Sequence, residues 1–151
     1  MKVLVTGAGG LIGSEACKFY LGQNAEVLGI DNNMRRYFFG EKGDVTPNLE
    51  FLEQSYPIFK NHNLDLRNRD RVLDFVKENS PLDLIIHTAA QPSHDWAAKE
   101  PFTDFDVNAN ATLNLLESFR IYSPEGVFIF TSTNKVYGDN PNKVNLVETP
   151  T

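Results

Sequence analysis

Met1-Lys-Val-Leu-Val-Thr-Gly-Ala-Gly-Gly-Leu-Ile-Gly13 opens the chain. Its first six residues are a short apolar, β-branched run of the kind that forms a buried strand, and a glycine cluster at positions 7, 9, 10 and 13 follows at once. From Leu11 to about Gly22 the pattern becomes helical. A strand, a glycine turn and a helix in that order let the backbone approach an anion closely, while the helix N-terminus faces it with unpaired N–H groups and a partial positive charge. The spacing GxGxxG started at Gly7 fails, because position 12 is Ile12. The spacing GxxGxxG is met by Gly7, Gly10 and Gly13. The plain alternative is a glycine turn that serves the chain and no ligand.

Outward from that stretch, Ala25 to Ile30 reads as a second buried strand ending on Asp31, and residues 32 to 54 as a long loop with one short helix. A third strand is expected within Tyr56 to Leu66, centred on Pro57 to His62. Val72, Leu73, Phe75 and Val76 give residues 68 to 79 an amphipathic helical spacing, which Ser80-Pro81 stops. Leu82 to His87 is a fourth strand. Phe105, Leu113, Leu115, Leu116 and Phe119 mark a long helix over about Pro101 to Tyr122. Ser123-Pro-Glu-Gly126 then punctuates the chain before a fifth strand, Val127 to Thr131, and from Gly138 the sequence is polar. Continuous apolar strands alternating with helices predict an α/β, doubly wound parallel sheet, the Rossmann fold, in one domain over residues 1–151. Its ligand site is expected at the carboxyl ends of the strands, where Gly7, Asp31, Asp65, Thr88, Ser132 and Thr133 fall.

The 151 residues are 41% hydrophobic and 23% charged, a globular balance, with no apolar run long enough to span a bilayer. A formal charge of −6 disfavours a nucleic acid as partner, since phosphate backbones call for clustered Lys and Arg. Cys17 falls inside a helical pattern and reads as a small buried hydrophobe. His62, His87 and His94 lack metal-ligand spacing, so no metal is expected, and His87 is assigned to the core. Met1 leads into the first strand without a signal-peptide pattern, and a cytoplasmic, soluble protein is the expectation.

Asp31 lies eighteen residues beyond Gly13, at the end of the second strand. A carboxylate there can accept both ribose hydroxyls of an adenosine and would repel a 2′-phosphate, which favours NAD over NADP. Arg35 and Arg36 open the opposite possibility, provided that Asp31 turns aside.

Gly7-Ala-Gly-Gly-Leu-Ile-Gly13 resembles the TGxxGxxG loop of extended short-chain dehydrogenases, in which an apolar pair, here Leu11 and Ile12, packs beside the cofactor. The resemblance extends through Asp31-Asn32 to Asp65-Leu66, which looks like the step bordering the adenine ring. It continues in His87-Thr88-Ala89-Ala90-Gln91, whose small residues suit a dinucleotide packed beneath its ribose and nicotinamide. Thr131-Ser-Thr-Asn-Lys-Val-Tyr-Gly138 resembles the hydroxyl-rich segment and VYG turn of members acting on nucleotide sugars. By that likeness Thr131 borders the cofactor, Thr133 hydrogen-bonds the sugar hydroxyl being oxidised, and Asn108 helps hold the active-site hydrogen bonds. Dehydratases carry an Asp-Glu pair after this threonine for elimination of water. Asn134-Lys135 stands here instead, and the segment resembles the branch of CDP-paratose 2-epimerases, as do Gln91 to Ala97 and Asp31 to Gly40.

The resemblance implies an NAD cofactor, a nucleotide-sugar substrate, and epimerisation by oxidation to a ketone and reduction on the other face. It also implies a tyrosine base whose pKa is lowered by a lysine four residues along one helix. The chain stops at Thr151 before such a pair, so residues 1–151 are expected to be the cofactor-binding part, inactive alone, with the substrate domain absent. The one Tyr-x-x-x-Lys match, Tyr56 to Lys60, is rejected because it enters the third strand and contains Pro57. His94, Trp96 and Ser93 either line a sugar entrance or cap the next helix. A homodimer through a helical bundle including residues 101 to 122 is a further implication. Ala111 departs from the family's usual glycine and could crowd the packing of its helix. Two other functions stay open: a non-catalytic NAD-binding sensor, and another nucleotide-sugar epimerase or dehydratase.

Overall fold

The structure, a computed structural model, describes residues 1–133, 136 and 138–145. Its centre is the strand that opens the chain. In β1 (Lys2–Thr6), Val3, Leu4 and Val5 are all fully buried. Successive side chains of a strand point to opposite faces. Accordingly, Val3 and Val5 join one apolar cluster with Cys17, Val27, Leu52 and Ile86, while Leu4 joins another with Ile30, Val72, Val76, Ile85 and Leu115. The sheet is therefore covered on both sides.

Around β1 the described residues form a five-stranded, all-parallel sheet of order β3-β2-β1-β4-β5, with β2 at Glu26–Ile30, β3 at Lys60–His62, β4 at Leu84–His87 and β5 at Val127–Phe130. This is the doubly wound α/β architecture expected. The register aligns Thr6 with Ile30 on one side and His87 on the other. The strand order reverses between β1 and β4, and the crevice at such a reversal is where this architecture places ligands. The helices are α1 (Leu11–Gly22), α2 (Met34–Phe39), α3 (Thr46–Ser55), α4 (Arg69–Asn79), α5 (His94–Lys99), α6 (Pro101–Phe105) and α7 (Ala111–Tyr122).

Four local expectations need correction. Residues 32 to 54 hold two helices and a 3₁₀ turn at Gly40–Gly43 rather than a loop with one short helix. Only Leu52 is fully buried on α3, so the apolar stripe that would have revealed it is thin. The third strand starts at Lys60, because Tyr56 ends α3 and the Phe59 N–H bonds back to the Tyr56 carbonyl in a turn. The helix expected over 101–122 is divided by a π-turn at Asp106–Asn110. Of its marker residues, Leu115 and Phe119 face the core, where α7 packs on α4, but Phe105, Leu113 and Leu116 are exposed on other faces. Ala111 is accommodated, buried against the core at the start of α7.

Candidate functional site

The site begins with the turn between β1 and α1. Gly7 has φ of 71°, a conformation that favours glycine, and its N–H donates to the Ile30 carbonyl at 2.7 Å. A methyl group on Gly7 would lie 2.8 Å from the Ala89 nitrogen and 2.9 Å from Thr88 Oγ1. A methyl on Gly13 would run into the Gly7 carbonyl. The first turn of α1 is thus pressed onto the ends of β1 and β4, and Thr88 locks the contact by donating to the Thr6 carbonyl at 2.7 Å. Gly10 is different: a methyl there would meet only the Gly7 carbonyl oxygen, at 3.2 Å. α1 has no side-chain cap and no acidic residue in its first turn. The N–H groups of Leu11, Ile12 and Gly13 therefore have no partner within the helix and present donors to an incoming anion.

Beside this turn lies a cleft of about 280 Å³. Gly7, Gly10, Leu11 and Ile12 form one wall, Asp31 and Asn32 a second, Asp65 and Leu66 a third, and Thr88, Ala89 and Ala90 the floor. The Asp31 carboxylate is oriented by two backbone donors, Gly9 N–H to Oδ2 at 2.9 Å and Asn33 N–H to Oδ1 at 2.8 Å. Asp65 is engaged by Arg67, whose guanidinium lies 2.6 Å from Oδ2, and this bonding holds the Asp65 carboxyl below the usual carboxylate range. The cap of α4 is Asn68, which accepts from the Arg71 N–H.

Met34, Arg35 and Phe38 also line the cleft. Arg35 is one of the two arginines considered for a 2′-phosphate, whereas Met34 and Phe38 are not marked by the sequence because α2 falls in the segment expected to be mostly loop. Arg36 is drawn to Asp44, 3.6 Å away, whereas Arg35 lies over the Phe39 ring. Trp96 fastens α2 to α5: its indole Nε1 donates to the Phe38 carbonyl at 2.6 Å, and its ring packs on those of Tyr37 and Phe38. Ser93 caps α5 by accepting from the Trp96 N–H.

Gln91, Asn108, Thr131 and Thr133 stand outside the cleft lining. Asn108, within the π-turn, accepts from the Gln91 N–H at 2.9 Å and donates to the Gln91 carbonyl at 3.1 Å, fixing the segment that follows the floor. Gln91 is buried, and its side chain holds Ser93 and Asp104. Thr131 Oγ1 donates to the His87 carbonyl at 3.0 Å. Thr133 is exposed beyond the end of β5. Asn134, Lys135 and Tyr137 lie outside the described residues. Tyr56 ends α3 and Lys60 starts β3, so that pair shares no helix.

His87 lies behind the floor, fully buried. Thr112 Oγ1 donates to the Asn108 carbonyl at 2.6 Å, so it must accept from His87 Nε2–H at 2.9 Å. Nδ1 is then the acceptor for the Thr6 hydroxyl at 2.6 Å. Burial pushes the imidazole pKa down to about 4, which keeps the ring neutral. Burial, and then the charge of Asp31, push the Cys17 thiol up to about 12, which leaves it unreactive at neutral pH.

Free helical N–H groups, a small-residue floor, apolar walls and a fixed carboxylate within one cleft suit a dinucleotide. A model of the NAD dependent epimerase/dehydratase family matches residues 3–151. The chain belongs to this family. It is 36% identical to a CDP-paratose 2-epimerase from Salmonella typhi over 150 residues, 99% of this chain and 42% of that protein. Among solved structures of the epimerases, it superposes on a UDP-Glc/GlcNAc 4-epimerase from Campylobacter jejuni with a TM-score of 0.76 at 28% identity, covering 91% of this chain and 39% of the other. A UDP-glucose 4-epimerase from Bifidobacterium longum in complex with NAD+ and UDP gives 0.73 at 27%, covering 91% and 38%. The chain thus spans about two fifths of the length of these epimerases. Among the described residues no helix is long and apolar enough to cross a membrane.

Proposed function

We propose that residues 1–151 form the NAD-binding domain of a nucleotide-sugar epimerase resembling CDP-paratose 2-epimerase. The observation that carries this reading is the Asp31 carboxylate, held by two backbone N–H groups on the rim of the cleft that the glycine turn opens. In this reading the N–H groups of α1 hold the pyrophosphate, and Asp31, with Asn32 beside it, accepts the adenosine ribose hydroxyls. Leu66 and Asp65 border the adenine, and Thr88, Ala89 and Ala90 lie beneath the nicotinamide half. Bound NAD supplies a reversible hydride acceptor for the sugar carbon. Thr131 and Asn108 keep the surrounding backbone in place, and Thr133 orients the sugar hydroxyl.

Taken alone, these residues bind cofactor without epimerising sugar, because the sequence offers no tyrosine and lysine four apart on one helix to serve as base. The exposed Phe105, Leu113 and Leu116 along α6 and α7 favour pairing with a second copy.

The test is calorimetric titration with NAD and NADP. NAD is expected to bind more tightly, and Asp31→Ala to lower NAD affinity about tenfold or more while removing the preference. Equal affinities in the unmutated chain would overturn the reading. Incubation with NAD and CDP-paratose, or with UDP-glucose, is expected to yield no epimer; conversion of either sugar would show that a residue treated as structural acts as the base.

A further inference from the structure

We propose that Asn48 is a positioning residue for dinucleotide recognition, holding the glycine turn and the Asp31 carboxylate in register with each other. The proposal rests on reading the cleft as the NAD site. It starts from Gly9, the one glycine of the turn outside the GxxGxxG spacing. A methyl group there would lie 2.7 Å from Val45 Cγ2 and 3.0 Å from Leu49 Cγ, so α3 is packed directly onto this Cα.

Polar bonds make that contact specific. The Gly9 carbonyl accepts from Asn48 Nδ2 at 2.8 Å, while the Gly9 N–H donates to Asp31 Oδ2 at 2.9 Å. The next N–H, of Gly10, donates to the Gly7 carbonyl at 2.9 Å, so the peptide between Gly9 and Gly10 is held at both ends. A return path runs from Asp31 Oδ1, which accepts from the Asn33 N–H, to Asn33 Oδ1, which accepts from the Val45 N–H at 3.1 Å. Val45 is the residue that caps the start of α3. The bonds close a ring from Asp31 through Gly9, Asn48, Val45 and Asn33 back to Asp31.

Val45 and Leu49 reach the glycine turn by apolar contact, whereas Asn48 is the α3 side chain that hydrogen-bonds it. Without its amide the Gly9 carbonyl loses its donor, the Gly9–Gly10 peptide keeps only the bond of the Gly10 N–H, and rotation about the Gly9 Cα becomes easier. The Gly9 N–H, which belongs to the neighbouring Ala8–Gly9 peptide, moves with that rotation, so that Asp31 Oδ2 loses its fixed partner and the carboxylate can swing from the position that accepts ribose hydroxyls and repels a 2′-phosphate. The effect on NAD therefore exceeds that on NADP, whereas a general loss of structure lowers both alike.

The experiment combines amide exchange by NMR on ligand-free protein with calorimetry of NAD and NADP, on the unmutated chain, Asn48→Ala, Asn48→Leu and the donor-retaining Asn48→Gln. Exchange at Gly9 is expected to quicken about tenfold in the Ala and Leu variants with β1 and β4 unchanged. Their NAD dissociation constant is expected to rise about five- to tenfold and that for NADP less than twofold, with Asn48→Gln intermediate. An unchanged affinity ratio, or equal loss of both dinucleotides with a lower melting temperature, would overturn the proposal while leaving the cleft as the NAD site. An unmutated chain that binds neither dinucleotide would overturn both, and the exchange data would still report whether Asn48 holds the turn.

Discussion

Strands β1 and β5 are made of similar material, Lys2-Val-Leu-Val-Thr6 and Val127-Phe-Ile-Phe130, yet their surroundings are opposite. Val3, Leu4 and Val5 are 0% exposed, whereas Val127, Ile129 and Phe130 are 57%, 43% and 54% exposed. β1 has a strand on each side and helices over both faces; β5 pairs only with β4 among the described residues. The apolar character of a strand thus records what it is built to be buried against, and its neighbours decide whether that burial occurs. The functional residues divide the same way. Those around β1 form a cleft with fixed donors and a fixed carboxylate, while Thr133 lies exposed past β5.

The comparison breaks most readily at Gly10. Its backbone, φ −71° and ψ 170°, is one that any residue adopts, and its side faces the cleft. Gly10→Val is expected to weaken NAD binding by about a hundredfold or more, roughly the 2.7 kcal/mol of two decades, with a small change in melting temperature. Retained affinity in the same titration would mean that the β1 end is merely a turn.

His87 lies between the two regions, bonded to Thr6 and with its ring edge-on to Phe128 and tilted against Phe130. Burial holds its pKa at about 4 in the folded chain, against an ordinary imidazole value of about 6.5, so the unfolded chain takes up the proton first. Stability from this group is complete above about pH 6.5 and is lost as pH falls towards 4, by roughly 3 kcal/mol at one pKa unit per 1.36 kcal/mol. Urea melts at pH 7 and pH 4.5, on the unmutated chain and on His87→Gln, should show a markedly smaller pH dependence in the variant. An equal dependence would place the acid sensitivity in the carboxylates.

One pair of substitutions tests burial directly. Val5→Ala is expected to destabilise by about 2–3 kcal/mol, counting lost transfer and the cavity left behind. Val127→Ala removes the same atoms from an exposed position and is expected to cost about 0.5 kcal/mol or less. Equal values in denaturant melts would show that β5 is covered in solution.

Legibility in the sequence followed the range of the interactions involved. The turn, α1 and the place of Asp31 could be read because local signals agree there: a β-branched run, three spaced glycines, a carboxylate at a strand end. For the two helices α2 and α3 the sequence suggests only one short helix, without a position, because α2 is six residues long and starts from Asn33 in the left-handed region, while α3 buries a single residue fully. Pro47 in the first turn of α3 was the available signal. Met34 and Phe38 are hidden with α2, while Arg35 is legible as a charge near Asp31. Gln91 and Asn108 were singled out by resemblance, but that they bond each other rather than face the cleft depends on a contact across the fold, and nothing local encodes it.

The π-turn at Asp106–Asn110 bears on which changes of length this chain can absorb. Each residue of an α-helix advances about 100° around its axis. A π-turn holds one residue more than a turn of α-helix, so deleting one residue from it restores ordinary winding and leaves Phe102 and Asp104 on the face they occupy, with Thr112 still against His87. The same deletion within α7 has nothing to absorb it and turns what precedes it by about that angle, carrying the segment that runs back towards Gln91 to another face. The π-turn therefore acts as slack in this stretch, a place where a residue can be lost without moving the far wall of the cleft.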